Sequence, residues 1–137
     1  MSRLSNAATT MLLGSVLALP ALAAPNPISV HVLDQQTGLP AQGMQVELES
    51  VQGDGWARIS QGRTNADGRI ATLYPAGQAL QPGRYRITFQ TGDWYTARAA
   101  STFYPKVEVV IDADGSLPHY HVPLLLSPYG YSTYRGS

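Results

Sequence analysis

The stretch ISVHVLDQQTGLPAQGMQVEL, residues 28–48, consists of two alternating runs around a break. Ile28, Val30 and Val32 alternate with Ser29, His31 and Leu33, the period of two expected of a strand with one face in a core. Thr37-Gly38-Leu39-Pro40 and Gly43 interrupt the pattern. Met44, Val46 and Leu48 then resume it against Gln45, Glu47 and Glu49. Strand, turn and strand in so few residues point to an all-β domain.

Further along, the same grammar repeats. Gly53-Asp54-Gly55 turns the chain into a strand near Trp56 to Ser60. Asn65-Ala66-Asp67-Gly68 is a strong tight-turn signal, because Asp and Gly readily supply the positive φ that such connections need. Arg69 is therefore expected to begin a strand running to about Tyr74. Pro82-Gly83 opens another, with Tyr85, Ile87 and Phe89 on one face. Thr91-Gly92-Asp93 ahead of WYTARAA predicts a short helix capped by Asp93. Val107, Val109 and Ile111 form a strand ended by Asp112-Ala113-Asp114-Gly115, and His119 to Leu126 and Tyr129 to Arg135 complete the set. About eight strands with at most one short helix predict an antiparallel β-sandwich.

The N-terminal segment is expected to be removed. Arg3 is its lone basic residue, Met11 to Leu22 is an uncharged apolar run, and Ala21-Leu22-Ala23 has the small-x-small form of a secretory cleavage site. The run is shorter than the ~20 residues a membrane span requires. Cleavage after Ala23 divides the chain into a signal peptide, residues 1–23, and one domain, residues 24–137. The absence of cysteine excludes a disulfide framework, thiol catalysis and thiolate metal sites. Loss of Arg3 from a chain with nine basic and nine acidic side chains leaves a net charge of about −1, with no electrostatic pull toward nucleic acid or anionic lipid.

The last stretch, HYHVPLLLSPYGYSTYRGS (119–137), carries Tyr120, Tyr129, Tyr131 and Tyr134 alongside two histidines. Tyrosine offers apolar area and a polar tip at low entropic cost, so this tail is expected to be held down as part of a site. If Val30, Val32, Tyr120, Val122, Leu124 and Leu126 face the core, then His31, Leu33, His119, His121, Pro123 and Leu125 face outward. An outer face mixing histidine with leucine is read as a seam against another subunit.

These segments, with the turn TNADGR and the terminal HVPLLLSPYGYSTYRGS, resemble the transthyretin-like 5-hydroxyisourate hydrolases of the urate pathway in their exported bacterial form. The resemblance covers Ile28 to Ser137, and YRGS with a first-strand histidine and HVPL is its most specific part. It implies a transthyretin-like sandwich assembled as a homotetramer. It also implies periplasmic hydrolysis of 5-hydroxyisourate to 2-oxo-4-hydroxy-4-carboxy-5-ureidoimidazoline, with no cofactor or metal. The residues it carries over are His31, Arg69, His121 and Ser137 as catalytic groups, and His31, Arg69 and Tyr134 as substrate-binding groups.

The side-chain chemistry agrees. Amide hydrolysis needs a base that is neutral near pH 7, and histidine, with an ordinary pKa of about 6.5, suits that task. It also needs a cation where the carbonyl oxygen gains charge, which the Arg69 guanidinium supplies. Which histidine is the base stays open at this point. Arg135 is the alternative cation, and is read as structural. His119 and His121 at i and i+2 invite a metal, but no carboxylate lies at a persuasive spacing. No G-x-S-x-G elbow is present, against a serine nucleophile. Two other classes remain, a transthyretin-like ligand carrier without catalysis and a non-catalytic β-sandwich surface module.

Overall fold

The computed structural model describes residues 17–20 and 24–137. Arg3, most of the apolar leader and the Ala21-Leu22-Ala23 pattern lie outside those residues. In chain order the elements are β1 (Ile28–Asp34), β2 (Leu39–Pro40), β3 (Gln45–Gln52), β4 (Gly55–Arg63), β5 (Arg69–Ile70), β6 (Gly83–Phe89), α1 (Thr91–Thr96), β7 (Val107–Ala113), β8 (Tyr120–Ser127) and β9 (Gly130–Thr133). One sheet runs β2-β1-β8-β9 with β5 also on β1, and the other runs β4-β3-β6-β7. The expected all-β sandwich is therefore present.

The core follows from the alternation. Val30, Val32, Leu124 and Leu126 from the first sheet meet Val46, Leu48, Ile87 and Phe89 from the second, all fully buried. Each such side chain contributes on the order of 1.5–3 kcal/mol of hydrophobic stabilisation. Burying these residues turns Ser29, His31, His119 and His121 to the opposite face of their sheet.

Four details depart from expectation. First, β1 and β8 pair in parallel, Ile28 opposite Tyr120 through Asp34 opposite Leu126. The chain reaches β8 by crossing from β7 in the other sheet, which permits the parallel direction that a hairpin forbids. Second, the strand expected from Arg69 to Tyr74 stops at Ile70. Leu73 and Tyr74 are adjacent and both buried, which a period of two cannot accommodate, and the Asn26 side chain holds the Tyr74 backbone instead.

Third, α1 begins after Gln90 with no side-chain cap, and Asp93 lies within its first turn. The helix is tied by its flanks, through the Thr91 hydroxyl to the Tyr104 carbonyl and the Trp94 indole to the Gln42 carbonyl. Fourth, what holds the tail within this chain is chiefly hydrogen bonding to the β8 backbone. The Gly136 amide donates to the His121 carbonyl at 2.9 Å, and the Thr133 hydroxyl to the Pro123 carbonyl at 2.8 Å. Within this single chain Tyr129, Tyr131 and Tyr134 stay 76%, 41% and 57% exposed, and Tyr131 meets the Tyr104 ring edge-on. Pro123, on the outward row as expected, is covered where Gly136 crosses it.

Candidate active site

The site is assembled on the outer face of β1 by three neighbours, each fixed through backbone contacts. The first is the turn before β5. The Asn65 carboxamide oxygen accepts from the Asp67 and Arg69 amides, and the Val32 amide donates to the Gly68 carbonyl at 2.8 Å. Gly68 has φ +71°, and a Cβ there would stand 2.5 Å from the Val32 carbonyl oxygen, so only glycine fits. Docked this way, the turn sets Arg69 directly opposite His31.

The second neighbour is β8. Its parallel register puts His121 opposite Ser29 and Pro123 opposite His31. The third is the tail, which returns over β8 and pairs Gly136 with His121. A Cβ on Gly136 would lie 2.5 Å from the His121 Cδ2 and 3.1 Å from the Pro123 Cγ. The absence of a side chain there lets the last residues lie flat against the histidine.

Together these elements enclose an open cavity of about 360 Å³ whose lining includes His31, Arg69, His121, Tyr134 and Ser137. All five residues singled out in the sequence meet there. Arg135 lines an adjoining groove with Asp114 and Tyr120 instead, so Arg69 is the cation of this cavity.

Two residues of the site, Ser29 and Asn26, escaped sequence reasoning, and His119 was singled out only as an outward-facing residue and possible metal ligand. The Ser29 hydroxyl lies 2.7 Å from His121 Nδ1 and 2.9 Å from His119 Nε2. His119 Nδ1 in turn meets the Asn26 carbonyl oxygen. The two imidazoles lie nearly parallel, with centroids 6.3 Å apart. Their i, i+2 spacing was visible as a metal invitation, yet both His119 nitrogens are engaged by Asn26 and Ser29. Ser29 shares the outward row with His31, the only signal that could have drawn attention to it.

Electrostatics favour neutral rings at the centre. Burial first, and the Arg69 charge second, push His31 below the ordinary histidine pKa, against an opposing pull from Asp67. Burial again leads for His121, followed by Arg69, His119 and His31, while the Ser29 backbone pulls the other way. Neutral imidazoles beside an exposed guanidinium can accept a proton from water and polarise a carbonyl at once.

A two-sheet sandwich with its last strand and tail folded over a histidine-bearing outer face is a transthyretin-like domain. The chain belongs to the HIUase/Transthyretin family, whose model matches residues 28–136. It is 48% identical over 128 residues to a 5-hydroxyisourate hydrolase of Salmonella typhi, covering 91% of this chain and 93% of that one. Among solved structures it resembles Klebsiella pneumoniae 5-hydroxyisourate hydrolase with a TM-score of 0.71 at 37% identity, covering 80% of this chain and 98% of that one. Transthyretin from Sparus aurata matches with a TM-score of 0.74 at 35% identity, covering 80% of this chain and 96% of that one. The backbone alone therefore does not separate hydrolase from carrier.

Proposed function

We propose that this protein hydrolyses 5-hydroxyisourate to 2-oxo-4-hydroxy-4-carboxy-5-ureidoimidazoline in urate degradation. The observation that carries the reading is the convergence of His31, Arg69, His121, Tyr134 and Ser137 on one cavity. Relatives named 5-hydroxyisourate hydrolase at 40–48% identity supply the substrate. Water adds to the ring carbonyl carbon and gives up a proton to a histidine. Arg69 stabilises the charge growing on the carbonyl oxygen. The tetrahedral intermediate collapses with cleavage of the C–N bond, the departing ring nitrogen regains a proton, and the carbonyl carbon stays on the imidazoline product as its carboxylate. Tyr134 and Ser137 orient the ring from the tail side.

The test uses freshly generated 5-hydroxyisourate, whose ultraviolet decay is followed against the spontaneous rate. Acceleration by the protein supports the hydrolase. Saturable binding without acceleration replaces it with the carrier reading.

Two further features belong to this proposal. The chain is exported to the periplasm with cleavage after Ala23, a reading supported by the uncharged run Met11 to Leu22 and the small-x-small site. Intact-mass measurement of periplasmic protein checks it, and a full-length cytoplasmic chain overturns it. The working species is a homotetramer with two-fold contacts. In its favour, β7 and β9 are edge strands that leave Val110 and Tyr131 exposed, the kind of edge that other chains cover. Light scattering decides this point.

A further inference from the structure

The contacts behind His121 have a direction, and it can be worked out from one fixed end. The Asn26 carbonyl oxygen can only accept, so the His119 Nδ1 beside it carries a proton. In a neutral imidazole the other nitrogen is then an acceptor, and the partner of His119 Nε2 is the Ser29 hydroxyl at 2.9 Å. The serine proton therefore points to His119. Its oxygen is left to accept from the remaining neighbour, His121 Nδ1 at 2.7 Å. With Nδ1 protonated, the lone pair of a neutral His121 sits on Nε2. That nitrogen has no partner among the described protein hydrogen bonds, and His121 lines the cavity with Arg69.

We propose that Ser29 and His119, anchored on the Asn26 carbonyl, are positioning residues that lock His121 in its Nδ1–H tautomer and so make its Nε2 the proton acceptor of the site. The inference rests on the hydrolase reading and deepens it, since it decides which histidine is the base. Among the described residues His31 has no comparable side-chain relay behind it. Its surroundings are Arg69 and the turn at Asp67, which suits holding substrate or water beside the acceptor.

Several features make the lock rigid. Ser29 is only 7% exposed, so water competes poorly for its hydroxyl. The strand register fixes Ser29 opposite His121, and the Gly136 amide on the His121 carbonyl holds the same residue from the other side. A free imidazole leaves its tautomer to solvent, whereas a half-buried donor–acceptor chain with one irreversible end does not. The logic is that of a base oriented by a third group, with serine and histidine in the place an acid more often takes.

The experiment reads the tautomer directly. Long-range proton–nitrogen correlation spectra of uniformly nitrogen-15-labelled full-length protein, at about pH 8 where histidine is neutral, report which ring nitrogen of His121 bears hydrogen. The wild type and Ser29→Thr, which keeps the hydroxyl, are expected to show His121 protonated at Nδ1. Ser29→Ala and His119→Phe are expected to lose that preference, with kcat falling on the order of tenfold to a hundredfold and restored in Ser29→Thr. His121 protonated at Nε2 in the wild type overturns the proposal without any variant having to fold. So does wild-type turnover in a folded Ser29→Ala protein. Nδ1 protonation in a protein that fails to accelerate 5-hydroxyisourate decay supports the lock and strikes the hydrolase reading instead.

Discussion

The two sheets carry opposite kinds of outer face. On β4-β3-β6-β7, most cations are matched by carboxylates: Arg86 grips Glu49 with two contacts at 2.6 and 2.9 Å, Arg84 meets Asp112, Arg58 meets Glu47, and Lys106 meets Glu108, while Arg63 donates to the Gly43 carbonyl. Arg86 also stacks on the Trp56 ring. On the β1-β8 face, Arg69 has no salt-bridge partner among the described residues, and its charge acts on His31 and His121. A neutralised face is finished. A face whose cation is unpaired beside depressed histidines keeps its field for a ligand, and substrate charge is the missing partner.

The largest expected contrast is between equivalent substitutions on the two faces. Replacing His121, Arg69 or His31 by alanine should lower kcat by roughly 10²–10⁴-fold, the usual cost of losing a general base or an oxyanion donor. Pairs should cost less than the sum, because the groups act on one water and one carbonyl. Arg86→Ala should leave turnover alone and lower stability by about 1–3 kcal/mol, since the half-buried pair, 24% and 15% exposed, loses two charge-assisted hydrogen bonds. Steady-state assays with urea melts separate the two effects. Normal turnover in a folded Arg69→Ala protein would dissolve the contrast.

Next in size is the tail. Gly136→Ala forces a Cβ to within 2.5 Å of the His121 ring, so the tail must lift or the ring must turn. Loss of roughly tenfold to a hundredfold in kcat is expected, in keeping with the steep dependence of rate on placement. Deletion of residues 134–137 should remove Tyr134 and Ser137 from the cavity and cost at least as much. The same alanine placed at Gly55, where a Cβ meets nothing within 4 Å, should be silent. Equal activity in the two alanine variants would show that the tail does not hold the site.

Much of the scaffold was legible because burial has a period. Val30 and Val32, Met44 to Leu48, and Tyr85 to Phe89 all lie where alternation put them. What alternation cannot encode is strand direction. The parallel pairing of β1 with β8 brings Ser29 to His121, so the Ser29–His119 connection was invisible without it. The two-residue strand β2 was equally hidden, and β5 was foreseen at Arg69 but not its early end at Ile70. How the tail is attached was not legible from its tyrosines: within this chain two hydrogen bonds to the β8 backbone hold it, and the rings stay exposed there.

The smallest expected effect concerns protons. Burial and Arg69 depress both His31 and His121, so the acid limb of kcat/KM should fall below the ordinary histidine value of about 6.5. Stability should follow the same sign. A histidine with a lowered folded pKa binds fewer protons folded than unfolded, so stability is complete above about pH 6.5 and declines as pH falls through the folded values. Arg69→Gln removes the second-ranked cause while leaving burial, the first, in place. Its residual activity should therefore show an acid limb shifted upward, toward the ordinary value without reaching it. Arg86→Gln, on the paired face, should leave the limb where it was. Profiles of kcat/KM for the three proteins make the comparison. An unmoved limb in Arg69→Gln would mean that the guanidinium field does not reach the histidines, and that burial alone keeps them neutral.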